Sequence, residues 1–185
     1  MVVSPASPAP VSLLSRYRDL AAYNRWANAR LLDACARVSR AEYREERGAF
    51  FGSIHGTLNH LLAADRIWMA RFTGEGPTAG RLDAIICEEL EQLGRERARE
   101  DERIVGYVGR LTAADLATEL SYTNSSGARF AQPLASTLDH FFNHQTHHRG
   151  QAHTLLTQFL GNAGGPSLDL IYFQRETGTG GARTG

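Results

Sequence analysis

The stretch from Pro133 to Leu160, PLASTLDHFFNHQTHHRGQAHTLLTQFL, decides how the chain is read. Pro133 suits the first turn of a helix, where a missing N–H costs nothing. Gly161, Gly164, Gly165 and Pro166 stop that helix. Five of the seven histidines lie between His140 and His153. On a helical wheel with His144 at the origin, His140 falls near roughly −40°, His148 near +40°, His147 near −60° and Gln151 near −20°. His153 falls on the opposite face. Thr137, Phe141, Leu155 and Phe159 share the His144 stripe, which marks it as the face turned to the core.

Inward imidazoles need partners. Buried neutral rings must satisfy two nitrogens each, and several side by side lose heavily if charged. A lone inward histidine reads as a core residue hydrogen-bonded to a neighbour. Two at i, i+4, with others alongside, point instead to chelation of one ion, because that spacing stacks them a turn apart on one face. Two ligands make a weak site, so a third is required. Only His55 and His60 remain, both on an earlier helical segment. The bulky stripe there is Phe51, Ile54, Leu58, Leu61, Trp68, Met69 and Phe72. His60 lies beside it with Gly56, Ala63 and Ile67, a small-residue strip that would let another helix approach. The wheel does not separate His60 from His55.

Working outward, Leu13, Leu14, Tyr17, Leu20, Ala21, Trp26, Leu31, Leu32 and Cys35 give a first helix within 12–38. Ser53 caps a second helix over 53–73, ended by Gly74 to Pro77. A third runs from Arg81 to Arg110 on Leu82, Ile85, Ile86, Leu90, Leu93, Ile104 and Val108. Residues 118–132 form a two-stranded ribbon around the turn cluster Asn124 to Gly127. The histidine helix is fourth, and a short helix over Leu168 to Glu176 closes the domain. Residues 1–11 and 177–185 read as disordered ends of one domain spanning 12–176. The class is all-α: a four-helix bundle with a small β-ribbon and a short C-terminal helix.

Composition excludes several functions. The 185 residues carry twenty basic and twenty acidic side chains, so the chain lacks the positive charge of a phosphate-driven nucleic-acid binder. Its densest basic stretch, Arg95 to Arg103, is interleaved with acids and reads as a solvated helix face. Every basic residue is Arg, which removes lysine Schiff-base chemistry and a P-loop. Cys35 and Cys87 form no CxxC, stand in helical patterns and read as small core residues. There is no HExxH, no CxxCH and no paired Glu-x-x-His. Neither a signal peptide nor a membrane span is legible, so the expected location is cytoplasmic, with no nucleic acid and no membrane as partner.

The segments YNRWANARLL (23–32), LNHLLAADRIW (58–68), SYTNSSGARF (121–130) and NHQTHHRGQ (143–151) together resemble the DinB/YfiT-like family of damage-inducible bacterial proteins. The resemblance runs from about Leu13 to Glu176, and the NHxxxHRGQ block is its specific part. It implies an up-down-down-up four-helix bundle and a homodimer. It also implies a divalent metal, zinc or nickel, held by His60 from LNHLLAADRIW and by His144 and His148 from NHxxxHRGQ. His147 falls where the family pattern is free, as an outer or incidental residue, and His140 is the rival ligand. Relatives include thiol transferases and isomerases that use small thiols such as bacillithiol or mycothiol.

Three neutral imidazoles leave an open position, the mark of a catalytic centre. Such a centre would turn a thiol, or water, into a nucleophile. The expected function is thus a metal-dependent thiol S-transferase acting on small electrophiles, with a small thiol and an electrophile as partners. The alternatives are a non-catalytic metal-binding dimer of the stress response and a metal-dependent hydrolase. No catalytic residue beyond the ligands is legible. Gln151 is the candidate for orienting a ligand or bound water. Asp65 reads as a surface or capping ion pair with an arginine. Tyr122 and Asn124 could edge the pocket, and Trp26 and Trp68 read as core.

Overall fold

The computed structural model describes residues 12–179 apart from Ser125, and most of them are helical around one small antiparallel ribbon. The expected disordered ends, 1–11 and the tail beyond Thr179, lie outside the described residues. Ser12 caps α1 (Leu13–Cys35) by accepting the Ser15 amide. Ser39 and Glu42 then form a capping box for α2 (Arg40–Arg44), a short helix the periodicity did not reveal. Ser53 caps α3 (Ile54–Thr73), and Gly74 ends it in the left-handed conformation. Next come α4 (Leu90–Arg110) and the short α5 (Ala113–Leu116). The ribbon pairs β1 (Glu119–Thr123) with β2 (Arg129–Pro133). The histidine helix, α6, spans Leu134–Leu160, and α7 spans Leu170–Thr177. Among the described residues no helix is long and apolar enough to cross a membrane.

Three boundaries differ from expectation. Residues 81–89 are not helical, and Cys87 therefore sits in a connection. Side chains of α3 hold that backbone in place of a helical ladder. Asn59 Oδ1 accepts the Ile86 and Cys87 amides at 2.9 Å, and Asn59 Nδ2 donates to the Cys87 carbonyl. His60 donates to the Leu82 carbonyl. Pro133 stands one place earlier than expected, as the N-cap of α6, because it still pairs with Glu119 in the ribbon. The last helix starts later and ends at Thr177, after a 3-10 turn at Asn162–Gly164.

Side-chain pairs give the directions of the long helices. Tyr17 donates to the Ala135 carbonyl while Asn24 meets Arg149 further along, so α1 and α6 run the same way. His60 meets His144 and Trp68 meets His140, so α3 opposes α6. Arg18 reaches the Gly109 carbonyl and Arg25 pairs with Glu102, so α1 opposes α4. Arg66 pairs with Glu96, and Thr73 meets Arg103, so α3 and α4 are parallel. The connection 74–89 makes this possible by returning along α3, with Leu82 beside His60 and Cys87 beside His55.

Among the described residues the core comes in two large apolar clusters and a small third one of Tyr23, Ala27 and Phe173. Of the large two, one gathers Leu31, Ile54, Leu62, Leu93 and Leu156; the other gathers Tyr17, Met69, Ile104, Leu138 and Phe141. On every long helix, buried polar residues lie between the two large clusters. They are Asn24 and Asn28, Asp65, Arg97 with Glu100 and Asp101, and Gln145 with Arg149. Arg97 Nη1 stands 2.6 Å from Asp65 Oδ2 and its Nη2 3.1 Å from Asp101 Oδ1, charge contacts whose angles miss hydrogen-bond alignment. Gln145 donates to Asp65, and both asparagines donate to Asp101. Arg149 donates to Asn24 and Asn28 and lies over the Tyr23 ring. Two expectations are corrected here. Asp65 is fully buried rather than at the surface, and the basic stretch of α4 turns Arg97, Glu100 and Asp101 inward. Burial pushes the Asp65 carboxyl up to about 7 against the lowering pull of Arg97.

Candidate metal centre

His60 is centred on α3, and His144 and His148 stand one turn apart on α6, so antiparallel packing brings the three rings together. One ligand nitrogen from each lies within 4.8 Å of the others. His60 and His148 are buried and His144 is half-buried. Their rings stand 4.3 to 5.1 Å apart between centroids.

Hydrogen bonds at the far nitrogens of His60 and His148 set which nitrogen of those two rings is free. A carbonyl only accepts, so His60 Nδ1–H donates to Leu82 O at 2.8 Å and leaves the Nε2 lone pair pointing inward. His148 Nδ1 likewise donates to Gln151 Oε1 at 2.8 Å. Gln151 turns its amide to His147 Nε2 at 3.2 Å, and exposed His147 also meets the His148 ring edge-on at 4.7 Å. Burial holds all three imidazoles neutral. Burial lowers the His60 pKa to about 4, against the raising effect of the hydrogen bond to the Leu82 carbonyl, and lowers that of His144 to about 3, with a smaller lowering from the crowd of other histidines; His148 is lowered by burial.

The donor set fits a divalent ion. Nitrogens at about 2.0–2.1 Å around a tetrahedral ion stand about 3.3 Å from one another. His60 Nε2 and His144 Nε2 are 3.3 Å apart. Two of the rings also carry the oxygen-accepted N–H that fixes tautomer and direction in metal sites.

Local backbone closes one side. Gly52, at φ +75°, ends the turn from Ala49, and Phe51 within it lies flat on the His60 ring at 3.7 Å and 15°. Phe51 also meets the His148 ring edge-on at 5.5 Å. A Cβ at Gly56 would collide with the Phe51 carbonyl, so at this position of the small-residue strip the close neighbour is this loop.

The other candidate residues sort themselves by position. His55 donates from Nε2–H to the Cys87 carbonyl at 3.0 Å and packs on Tyr43, away from the three rings. His140 stands a turn from His144, with ring centroids 5.8 Å apart, and packs against Trp68 rather than joining the convergent nitrogens. His153 faces a separate cavity behind α6. Tyr122 and Asn124 line a cavity of about 730 Å³ that reaches His144, and Trp68 forms part of its wall. Trp26 packs on Phe173, remote from the histidines. The Leu82 carbonyl, Phe51 and Asn59 were not legible as site residues, since a carbonyl has no sequence signal and Phe51 reads as helix stripe. Asp65 is sealed in the ion layer with no exposed surface and is no base for this centre.

The sequence profile of the DinB family matches residues 11–176. Protein DinB of Bacillus subtilis (strain 168) is 27% identical over 166 residues, covering 84% of this chain and 92% of that protein. Since the profile match takes in all the long helices and all three convergent histidines, the chain belongs to the DinB family.

Proposed function

We propose that His60, His144 and His148 hold one divalent ion, zinc or nickel, and that the centre activates a small thiol for transfer to a small electrophile. The observation that carries this reading is the convergence of three neutral imidazoles, two with oriented tautomers, beside a cavity that reaches His144. A divalent ion there would lower the pKa of a bound thiol and supply a nucleophile near neutral pH. Three protein ligands leave room for that thiol, and an adjoining cavity weighs against a closed, purely structural site. Phe51 keeps water from the far side of His60, and the Leu82 carbonyl and Gln151 hold two rings in position.

In the transfer a sulfur–carbon bond forms as a carbon–halide bond breaks; the halide leaves and the thiol proton passes to water. The nucleophile is an external thiol. Cys35 is buried with its pKa pushed up to about 12, and Cys87 is buried in the connection. Part of the same reading is an up-down-down-up bundle, supported by the helix directions, a damage-inducible homodimer, as the family resemblance implies, and a cytoplasmic location.

The test is turnover of an activated aryl halide with small thiols by zinc- or nickel-loaded protein. Metal-dependent product formation is expected, and none with any thiol would overturn the transfer reading. Gln151→Leu keeps all three ligands but frees the His148 ring. It should weaken metal affinity about 10- to 100-fold, read by competition with a chromogenic chelator. Unchanged affinity would contradict a role for Gln151 in holding His148.

A further inference from the structure

The cavity of about 730 Å³ beside His144 has apolar walls from Ile67, Trp68, Tyr122 and Phe130, and its size suits a small molecule. Among the described residues no carboxylate lines it, while Arg71, Arg81 and two histidines do. Arg81 is already paired with Asp83 at 2.6 Å. Arg71 is different. Its guanidinium carbon lies 4.6 Å from the centroid of Trp68 and 4.7 Å from that of Tyr122. Its one hydrogen bond among the described residues is a long one, 3.4 Å, from Nη2 to the Thr123 carbonyl. The cation is thus half-buried and fixed in direction by two aromatic faces, with no acid beside it among the described residues.

A guanidinium held this way presents a preformed fork to a planar anion. We propose that this cavity binds a small molecule with a carboxylate and an apolar body, the carboxylate on Arg71 and the other end towards His144. The direction of the ligand rests on the metal-centre reading; the anion pocket itself does not. If Arg71 only clamps the hairpin to α3 through its aromatic contacts, the cavity will not distinguish acid from amide.

The experiment titrates metal-free, folded protein with phenylacetate and with its neutral analogue phenylacetamide, following the Trp68 indole signal by NMR. Metal-free protein is used so that a carboxylate on the ion cannot mimic the result. Phenylacetate should bind about tenfold more tightly than the amide, the effect of one charge-assisted pair. Arg71→Met should abolish that preference, and Arg71→Lys should keep part of it. Equal binding of acid and amide to the wild type, no binding of either, or a preference that survives in Arg71→Met would overturn the proposal. Should Arg71→Met fail to fold, the wild-type comparison and Arg71→Lys still decide. Acid preference in a protein that takes up no metal would leave the pocket standing and remove the metal centre; metal uptake without acid preference would do the reverse.

Discussion

Asp65→Ala is expected to lower the free energy of unfolding by about 3–5 kcal/mol, because it strands a buried guanidinium. Asp65 is fully buried and Arg97 nearly so, at 2.6 Å from each other. Gln145 loses its acceptor in the same change. Arg97 would keep Asp101 at 3.1 Å, which sets the lower end of the range. Urea denaturation followed by circular dichroism measures the loss. Asp83→Ala, which removes an exposed partner of Arg81, is the control and should stay within about 0.5 kcal/mol. A loss below about 1 kcal/mol for Asp65→Ala, the range of exposed ion pairs, would contradict the account of the buried layer.

That layer has a structural logic. It crosses the interior between the two apolar clusters and takes at least one residue from each long helix. Sliding α3, α4 or α6 by a turn would move a buried charge against apolar neighbours, at a cost of several kcal/mol per ion, and sliding α1 would take Asn24 and Asn28 away from Asp101 and Arg149. Apolar contacts alone tolerate such slips. The layer therefore fixes the axial register that puts His60 level with His144 and His148.

The second large effect falls on chemistry. His148→Ala should reduce thiol transfer by about 100-fold or more, since removal of one of three ligands takes metal affinity and nucleophile together. His148 lies at the α6 surface of the three-ring group, 9% exposed, so its loss leaves the apolar clusters intact. Circular dichroism of the variant should match the wild type. Turnover within a few-fold of wild type in this variant would sink the enzyme reading, and a lost fold would be separated from lost chemistry by the same spectra.

Much of the site was legible because imidazoles at i, i+4 on an inward stripe have few explanations. That spacing fits His140, His144 and His148 alike; the family resemblance was needed to choose His144 and His148 among them and to tell His60 from His55. The packing makes the distinction physical: His60 faces α6, and His55 faces the connection at Cys87. The long helices were legible from period and caps, with Ser53 and Gly74 marking α3 as expected. The false helical start at Arg81 arose because Leu82, Ile85 and Ile86 keep helical spacing while Asn59 takes the backbone amides of Ile86 and Cys87. Asp65 was misread because a lone acid on a helix is normally solvated; its partners Arg97 and Gln145 lie far away in sequence. Arg71 carries no local signal, and only the fold places it between Trp68 and Tyr122.

The most direct measurement is metal content by inductively coupled plasma mass spectrometry on untagged protein, wild type beside His144→Ala. The account predicts about one zinc or nickel per wild-type chain and loss of most of it in the variant, because His144 supplies one of three ligands. Wild-type protein that takes up no ion after reconstitution, or a variant that holds as much as the wild type, would contradict it.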